Sequence, residues 1–419
     1  MAAYSESLGE RSSMKILQVA ERTYPAMGGV ELHTAMISKE LVKRGHEVTI
    51  VVFNSLDQRD CGFGVTYQKP FLVTRPLKPS LAKTELWNGV RILRFPSKAQ
   101  LFSYYWSPEM LHWLLEHINE FDIAHTHCFR FSHNDFTIAA SLFNKRRVPI
   151  VFTCHDATRL NYMGFPVLVM DEIYRRTLGK LLIDLAQKLI ALTETNAQEY
   201  LRFLYADSRK IKIVPNGIDF EKYQTLPDPS DLREKLGNPE QVILYLGRFI
   251  GYKNPDKLIL AFKKTAQRYP KSHLLMIGKD YGMFEHCKKL AGQHVTLLEN
   301  VDEDTKLKAL ALADLCVVPS SYEGFGIVAL EVQASGVPVI ATRSGGLKHA
   351  VLNGVTGLHI ETPTPQEIDR AVSVLLENPE LRKKYGDQGK SFMRRFSWSS
   401  VAEKLETIYE EALVQSNNK

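Results

Sequence analysis

Short apolar runs alternate along the chain with stretches whose apolar positions recur at helical spacing. Lys15–Ala20 reads as a strand; beyond it Val30, Thr34, Ile37 and Leu41 share one helical face while Lys39 and Lys43 fall on the other. Gly45 stands where a left-handed C-cap belongs, and Val48–Phe53 is the next strand. Further strands are predicted at Val90–Phe95, Asp122–His127, Pro149–Asp156, Lys188–Leu192 and Ile211–Val214. Helices are predicted from about Pro108, within Thr158–Ala186 and over Asn196–Leu204. The rest of Asn54–Ser107 has no dominant period; its aromatic cluster Phe102, Tyr104, Tyr105 and Trp106 opens the helix at Pro108.

A turn signal at Asn216-Gly217 and the polar, proline-bearing run Leu226–Glu240 interrupt this order, and the alternation then restarts. Strands are expected at Val242–Leu246, His273–Ile277, Val295–Leu298, Leu315–Val318, Val339–Ala341 and Leu358–Ile360. Helices begin at Pro255, Tyr281, Asp302 and Ile327, and the tail from Pro363 is helical with breaks at Pro379 and near Phe396–Ser399. Strand–helix units on both sides of a linker predict an α/β protein of two open, doubly wound, parallel-sheet domains, Rossmann-like in layout, with ligands where the strand C-ends face each other. The expected division is a disordered tail over 1–13, a first domain over 14–215 and a second over 216–396. A length of 419 residues also favours two domains.

Candidate chemistry concentrates in Ser320–Pro338, a strand end, a glycine-bearing turn and a helix N-terminus. Such an N-terminus offers unpaired N–H groups and the positive end of the helix dipole to an anion. Glu323 precedes the helix and Glu331 lies inside it. Carboxylates beside an anion site make sense if they accept hydroxyl hydrogen bonds while backbone holds phosphate, and a nucleotide sugar carries both groups. The alternative is that Glu323 merely suits the dipole and Glu331 is a solvated helix residue. A second loop, GRFIGYKNP, sets Arg248 and Lys253 ahead of another helix N-terminus, where Arg can grip oxygens bidentately and Lys acts as a point charge. Gly28-Gly29 opens the first helix; small residues there admit a ligand or mark a plain turn, and Gly-x-Gly-x-x-Gly is absent. His125 and His127 share one strand face and, with His155 and Asp156, can be read as a metal site.

Composition narrows the classes. Apolar content of 44% and charged content of 24% are those of an ordinary globular protein. A net charge of +6 permits contact with nucleotides or anionic lipid without requiring either, and the basic residues are scattered apart from Lys145-Arg146-Arg147, so no nucleic-acid partner is expected. The five cysteines form no Cys-x-x-Cys pair and fit a reducing, cytoplasmic setting. Met1–Ser13 lacks an apolar signal core, and no apolar run approaches the roughly 18 residues of a spanning helix, so membrane contact is expected to be peripheral at most, at the inner face.

Together, Gly28-Gly29 with Glu31, the strand ending DIAHTH, the Cys154-His155-Asp156 turn, PNGID, LGRFIGYKNP and PSSYEGFGIVALEVQASGVPVIATRSGG form an ordered set from about Met14 to Leu413. The set resembles the retaining, GT-B-fold glycosyltransferases of family 4, the group 1 glycosyl transferases. The resemblance implies a hexosyltransferase of carbohydrate biosynthesis that moves a sugar from a UDP- or GDP-sugar to a hydroxyl acceptor: a glycan, a lipid or a small molecule. It implies a diphosphate held by Arg248, Lys253, Gly28, Gly29 and backbone over Gly324, Phe325, Gly326, Ile327 and Val328. Glu331 would take the ribose, Glu323 the donor sugar, and His155 would stand beside the reacting sugar. The nucleobase would rest on backbone near Gly278–Asp280 and Glu299–Asp302, Val301 included. The resemblance further implies no metal or other cofactor, no dedicated protein base, and a final helix, about 397–419, that returns to the first domain.

Two departures stand out. EVQASG replaces the Ala-Met more common after the second glutamate, and Asp302-Glu303-Asp304 matches the Asp-x-Asp metal motif of other glycosyltransferases but starts a helix, where acidic residues suit the dipole. Three rival readings remain: a metal-dependent hydrolase built on His125, His127 and His155, a nucleotide-sugar epimerase or hydrolase on the same fold, and a non-catalytic nucleotide-sugar sensor.

Overall fold

The computed structural model describes residues 13–26, 28–55, 72–73, 81–101, 104–144, 146–155 and 165–417. The expectations placed on residues 1–12, Cys61, Phe102, Lys145 and Asp156 lie outside the described residues.

Two large sheets organise the chain. From edge to edge the first runs Ile211–Ile213, Lys188–Ala191, Ile150–Thr153, Ile123–His127, Lys15–Val19, Glu47–Phe53, Val90–Phe95 and Thr84–Trp87. The second runs Val295–Glu299, Ser272–Gly278, Gln241–Leu246, Leu315–Val318, Val339–Thr342 and Gly357–Ile360, parallel throughout. Its strands are apolar on both faces, because helices cover both: Val242, Leu244, Cys316 and Val318 join one core, while Ile243, Tyr245, Leu315 and Val317 join the other. Cys287 and Cys316 are free and buried, and burial pushes both thiols up to about 12, so they serve as apolar core residues.

The first sheet departs from the parallel expectation at one edge. Thr84–Trp87 pairs antiparallel with Val90–Phe95 through Asn88-Gly89, whose φ values of 49° and 80° are the left-handed pair a tight hairpin demands. The aromatic cluster differs as well. Tyr104–Trp106 is a strand of a small antiparallel sheet with Ala99–Leu101 and Leu72–Val73, since aromatic side chains pack well on a pleated surface. Tyr105 stacks on Phe53 at 4.8 Å, and the helix begins only at Pro108, capped by Ser107.

Strand order fixes where ligands can enter. In the first sheet the chain moves outward from Lys15–Val19 in one direction and later returns to its other side with Ile123–His127. The second sheet reverses in the same way between Gln241–Leu246 and Leu315–Val318. Each reversal sends the following loops apart and leaves a crevice beyond the strand C-ends.

The last helix, Trp398–Asn417, lies on the first sheet. Trp398, Val401, Leu405, Ile408, Tyr409 and Ala412 recur at helical spacing and join the core of Ile16, Ile37, Leu41 and Ile50. Glu406 adds an ion pair to Arg44 (2.7 Å) and a hydrogen bond with His46 Nε2 (2.8 Å). The chain crosses between the sheets twice, side by side: Ile218 N–H donates to Phe396 O at 2.6 Å, and Gly217 abuts the Trp398 ring so closely that a Cβ there would come within 2.5 Å.

Candidate functional site

The two strand-end crevices meet. A Cβ on Gly324 would lie 2.2 Å from His155 O, and one on Gly29 would lie 3.6 Å from Ile327 Cδ1. Tyr322 OH reaches Glu199 at 3.2 Å, and Thr195 Oγ1 pairs with His349 Nε2 at 2.8 Å, which binds the second unit's loops to the first unit's helix Glu194–Phe203.

On the second sheet, both loops at the reversal carry charge. Arg248 sits under the Tyr281 ring (5.3 Å) and donates to Tyr252 OH at 2.5 Å. Lys253 ion-pairs with Glu323 Oε1, which also accepts from Ser320 Oγ at 2.9 Å; these two charged side chains are 12% and 15% exposed. Asn254, at φ 51°, holds the two loops together by donating to Pro319 O (2.8 Å) and Ser321 Oγ (2.9 Å). Sequence reasoning passed over Asn254, although the Asn-Pro step before a helix is a turn signal.

The helix Ile327–Ala334 starts from Gly326 at φ 95°, a backbone state that favours glycine, and no side chain caps it. Its N-terminal amides therefore have no side-chain acceptor among the described residues. Gly346 closes the turn from behind, donating to Glu323 O at 2.7 Å. A Cβ there would meet Gly324 O at 2.3 Å and Phe325 Cα at 2.5 Å, both backbone. Gly346→Ala is therefore expected to cost about 1–3 kcal/mol, measured by urea unfolding.

Glu331 is buried, not the solvated helix residue of the alternative reading. Tyr223 OH and Lys306 Nζ both donate to its Oε1 at 2.8 Å. Burial, with this carboxylate beside it, pushes the Tyr223 hydroxyl far above its ordinary range, so it remains a donor. Gln333 of the unusual EVQASG helix is buried and donates to Ala329 O and Ala350 O, and Val332 joins the core. Gly278 and Val301 converge at the neighbouring strand ends, where Asn300 N–H donates to Gly278 O at 3.3 Å. Asp302 caps the helix Glu303–Leu312 by accepting from Thr305 N–H at 2.8 Å, as its position suggested.

On the first sheet, Gly28 has an extended φ of −179°, so neither strain nor a left-handed turn requires glycine there. Glu31, two residues beyond Gly29, accepts from Arg22 Nε at 3.2 Å, while Arg22 also meets Glu21 at 2.8 Å. The histidines regroup. His125 is occupied at both ring nitrogens, by Tyr409 OH (2.7 Å) and Thr153 Oγ1 (2.8 Å), and so leaves the metal set read from the sequence. His33 replaces it: one ring nitrogen from each of His33, His127 and His155 lies within 4.8 Å of the others. Burial holds His125, His127 and His155 well below the usual imidazole range, the neighbouring rings add to the shift, and burial brings His33 and His133 to about 4. All five are neutral at neutral pH. His155 adopts φ 57°, uncommon without glycine.

Residues 27–222 match the family described as Glycosyltransferase Family 4, and residues 230–392 match Glycosyl transferases group 1. A D-inositol 3-phosphate glycosyltransferase of Corynebacterium glutamicum (strain R) is 31% identical over 287 residues, 65% of this chain and 68% of that protein. The chain belongs to glycosyltransferase family 4. A second relative of this family-4 chain, the D-inositol 3-phosphate glycosyltransferase of Segniliparus rotundus, is 31% identical over 277 residues, 64% of this chain; the match spans 62% of the relative's length. Among solved structures, Anabaena HepE in complex with UDP and glucose superposes with a TM-score of 0.72 at 20% identity, covering 94% of this chain and 98% of that one. That likeness shows the GT-B fold of the family-4 chain.

Proposed function

We propose that the chain transfers a sugar from a nucleoside-diphosphate sugar to a hydroxyl acceptor with retention of anomeric configuration. The observation that carries the proposal is the Lys253–Glu323 pair lying beside an uncapped helix N-terminus at the reversal of the second sheet. Lysine has three protons to donate. It can hold Glu323 with one and the donor diphosphate with another, while Arg248 and the amides near Phe325–Val328 take further phosphate oxygens. Glu331 has both observed bonds on Oε1, so Oε2 serves as the acceptor for ribose hydroxyls. Gly278 and Val301 line the nucleobase end, and Gly28 and Gly29 border the diphosphate from the first unit.

In the proposed reaction the bond from the anomeric carbon to the diphosphate oxygen breaks, and the acceptor oxygen bonds to the same face. The acceptor proton passes to the leaving diphosphate, so no side-chain base is needed. Lys253 and Arg248 stabilise the developing charge, which is the main catalytic contribution. His155, neutral and buried at the junction of the two units, hydrogen-bonds the reacting sugar. The scheme routes no step through a metal.

The relatives' names include D-inositol 3-phosphate. For this chain the acceptor is proposed only as a hydroxyl-bearing glycan, lipid or small molecule, with UDP- and GDP-sugars as donor candidates. A cytoplasmic setting is proposed with it; no described helix is long and apolar enough to cross a membrane.

Turnover of a panel of nucleotide sugars, with and without candidate acceptors, tests the proposal. Acceptor-dependent transfer supports it, whereas sugar release that ignores acceptors points to a hydrolase or epimerase. Glu323→Gln should impair transfer far more than UDP binding, read as kcat against the UDP-induced rise in melting temperature. Equal loss of both would remove Glu323 from the donor-sugar role.

A further inference from the structure

The hydrogen-bond partners around the buried histidines fix which ring nitrogens carry protons. His33 Nδ1 lies 2.7 Å from Asn216 Oδ1, a carbonyl oxygen that can only accept, so Nδ1 is protonated and Nε2 is a bare lone pair. That Nε2 is buried and has no hydrogen-bond partner among the described residues. His127 Nε2 lies 2.7 Å from Gln18 Oε1, and Gln18 Nε2 donates to Tyr409 OH at 3.2 Å, which sets the amide's orientation. His127 Nε2 is therefore protonated and its Nδ1 is the acceptor, taking the proton of His155 Nε2 at 3.2 Å.

Two unprotonated nitrogens thus belong to a set of three rings that each bring one nitrogen within 4.8 Å of the others, and the third ring, His155, frees its own by changing tautomer. A tetrahedral zinc ion with nitrogen ligands at about 2.0–2.1 Å needs its ligand atoms about 3.3 Å apart. The His127–His155 separation already meets this, and the 4.8 Å limit for the set means that His33 has to close by at most about 1.5 Å. Each outer nitrogen of His33 and His127 donates to a carbonyl oxygen, the outer support that orients imidazole ligands in metal sites. Exposure is 1% for His33, 0% for His127 and 8% for His155, so an ion would enter past His155, from the cleft.

We propose that His33, His127 and His155 bind one zinc-class divalent ion, through Nε2, Nδ1 and Nε2 respectively. The fourth position takes water or a ligand from the cleft side. An ion held there turns the His155 lone pair away from the reacting sugar, so it competes with donor turnover and acts as an inhibitor. This consequence rests on the donor-site reading above, whereas the metal site itself does not.

The test separates the two. Untagged full-length chain equilibrated with a small molar excess of zinc and then desalted, with no nucleotide present, should carry one zinc per chain by elemental analysis. Cobalt in its place should give the strong visible bands of a low-coordinate nitrogen site. His33→Gln and His127→Gln should each cut bound metal at least tenfold, with the UDP-induced melting shift reporting that each variant is folded. The metal site is overturned if the wild-type chain keeps under a tenth of an equivalent, if cobalt shows only the weak bands of a hydrated ion, or if both variants retain metal. Inhibition is refuted if zinc-loaded enzyme turns over donor as fast as chelator-treated enzyme. A UDP melting shift measured without metal tests the donor site alone.

Discussion

Lys253→Ala is expected to lower kcat about 10²–10³-fold and to reduce the melting shift produced by UDP or GDP. The magnitude is that of removing one preorganised group from a site where charge develops in the transition state. Lys253 has two tasks in one place. It ion-pairs with Glu323 and stands in the loop that Asn254 fastens to the Glu323 loop. Its loss leaves a carboxylate, 15% exposed, at the place proposed for the diphosphate, so repulsion is added to the lost attraction. For the wild-type chain, a nucleoside diphosphate at about a hundredfold over its Kd should add about 2.7 kcal/mol of stability, and most of that gain should vanish in the variant. An unchanged melting shift together with unchanged kcat would be incompatible with Lys253 at the donor diphosphate.

In the presence of a chelator, stability should fall steeply as pH drops from 6.5 toward 4. Burial holds the folded-state His33 and His133 at about 4, below the ordinary imidazole value of 6.5. Between those values the unfolded chain binds more protons than the folded one, so stability rises with pH through the window and is fully present above 6.5. Each histidine contributes about 1.4 kcal/mol per pH unit within it, so these two remove roughly 5 kcal/mol by pH 4.5. His125, His127 and His155 shift in the same direction for the same cause, burial. A loss of this size compares with the whole stability of many domains, on the order of 5–15 kcal/mol. Urea unfolding at intervals from pH 7.5 to 4.5 measures it, and a flat profile above pH 5 would mean that the cluster is solvated.

The large parallel sheets were legible because both of their faces are covered, which turns each strand into a short, nearly unbroken apolar run such as Leu315–Val318. The antiparallel edge was less so. Thr84–Trp87 alternates exposed and half-buried residues and carries no apolar run, although Asn88-Gly89 announces the hairpin. The aromatic run before Pro108 reads locally as the opening of a helix, and only pairing with Ala99–Leu101 shows Tyr104–Trp106 to be a strand.

The site divides similarly. Arg248, Lys253 and Glu323 stand out in the chain because they are charges in glycine-bearing loops at strand C-ends, where open α/β sheets bind ligands, and Glu331 follows in the helix after one of those loops. Their pairings were hidden, since Lys253 and Glu323 are 70 residues apart and Tyr223 reaches Glu331 across 108. His33 was invisible as a site residue: at helical spacing it reads as one more position on a core face.

By itself, the sequence determined the α/β class, the two runs of strand–helix units and the loops in which phosphate-binding chemistry could lie. These depend on local periodicity and on residue types that a short window contains. Tertiary structure alone decided that His33 joins His127 and His155 while His125 is withdrawn by Tyr409 from the last helix. It also decided that Lys253 faces Glu323. Such contacts depend on strand order and on the return of Trp398–Asn417 across the first sheet, and no local pattern records which distant side chains a fold will bring within hydrogen-bond reach.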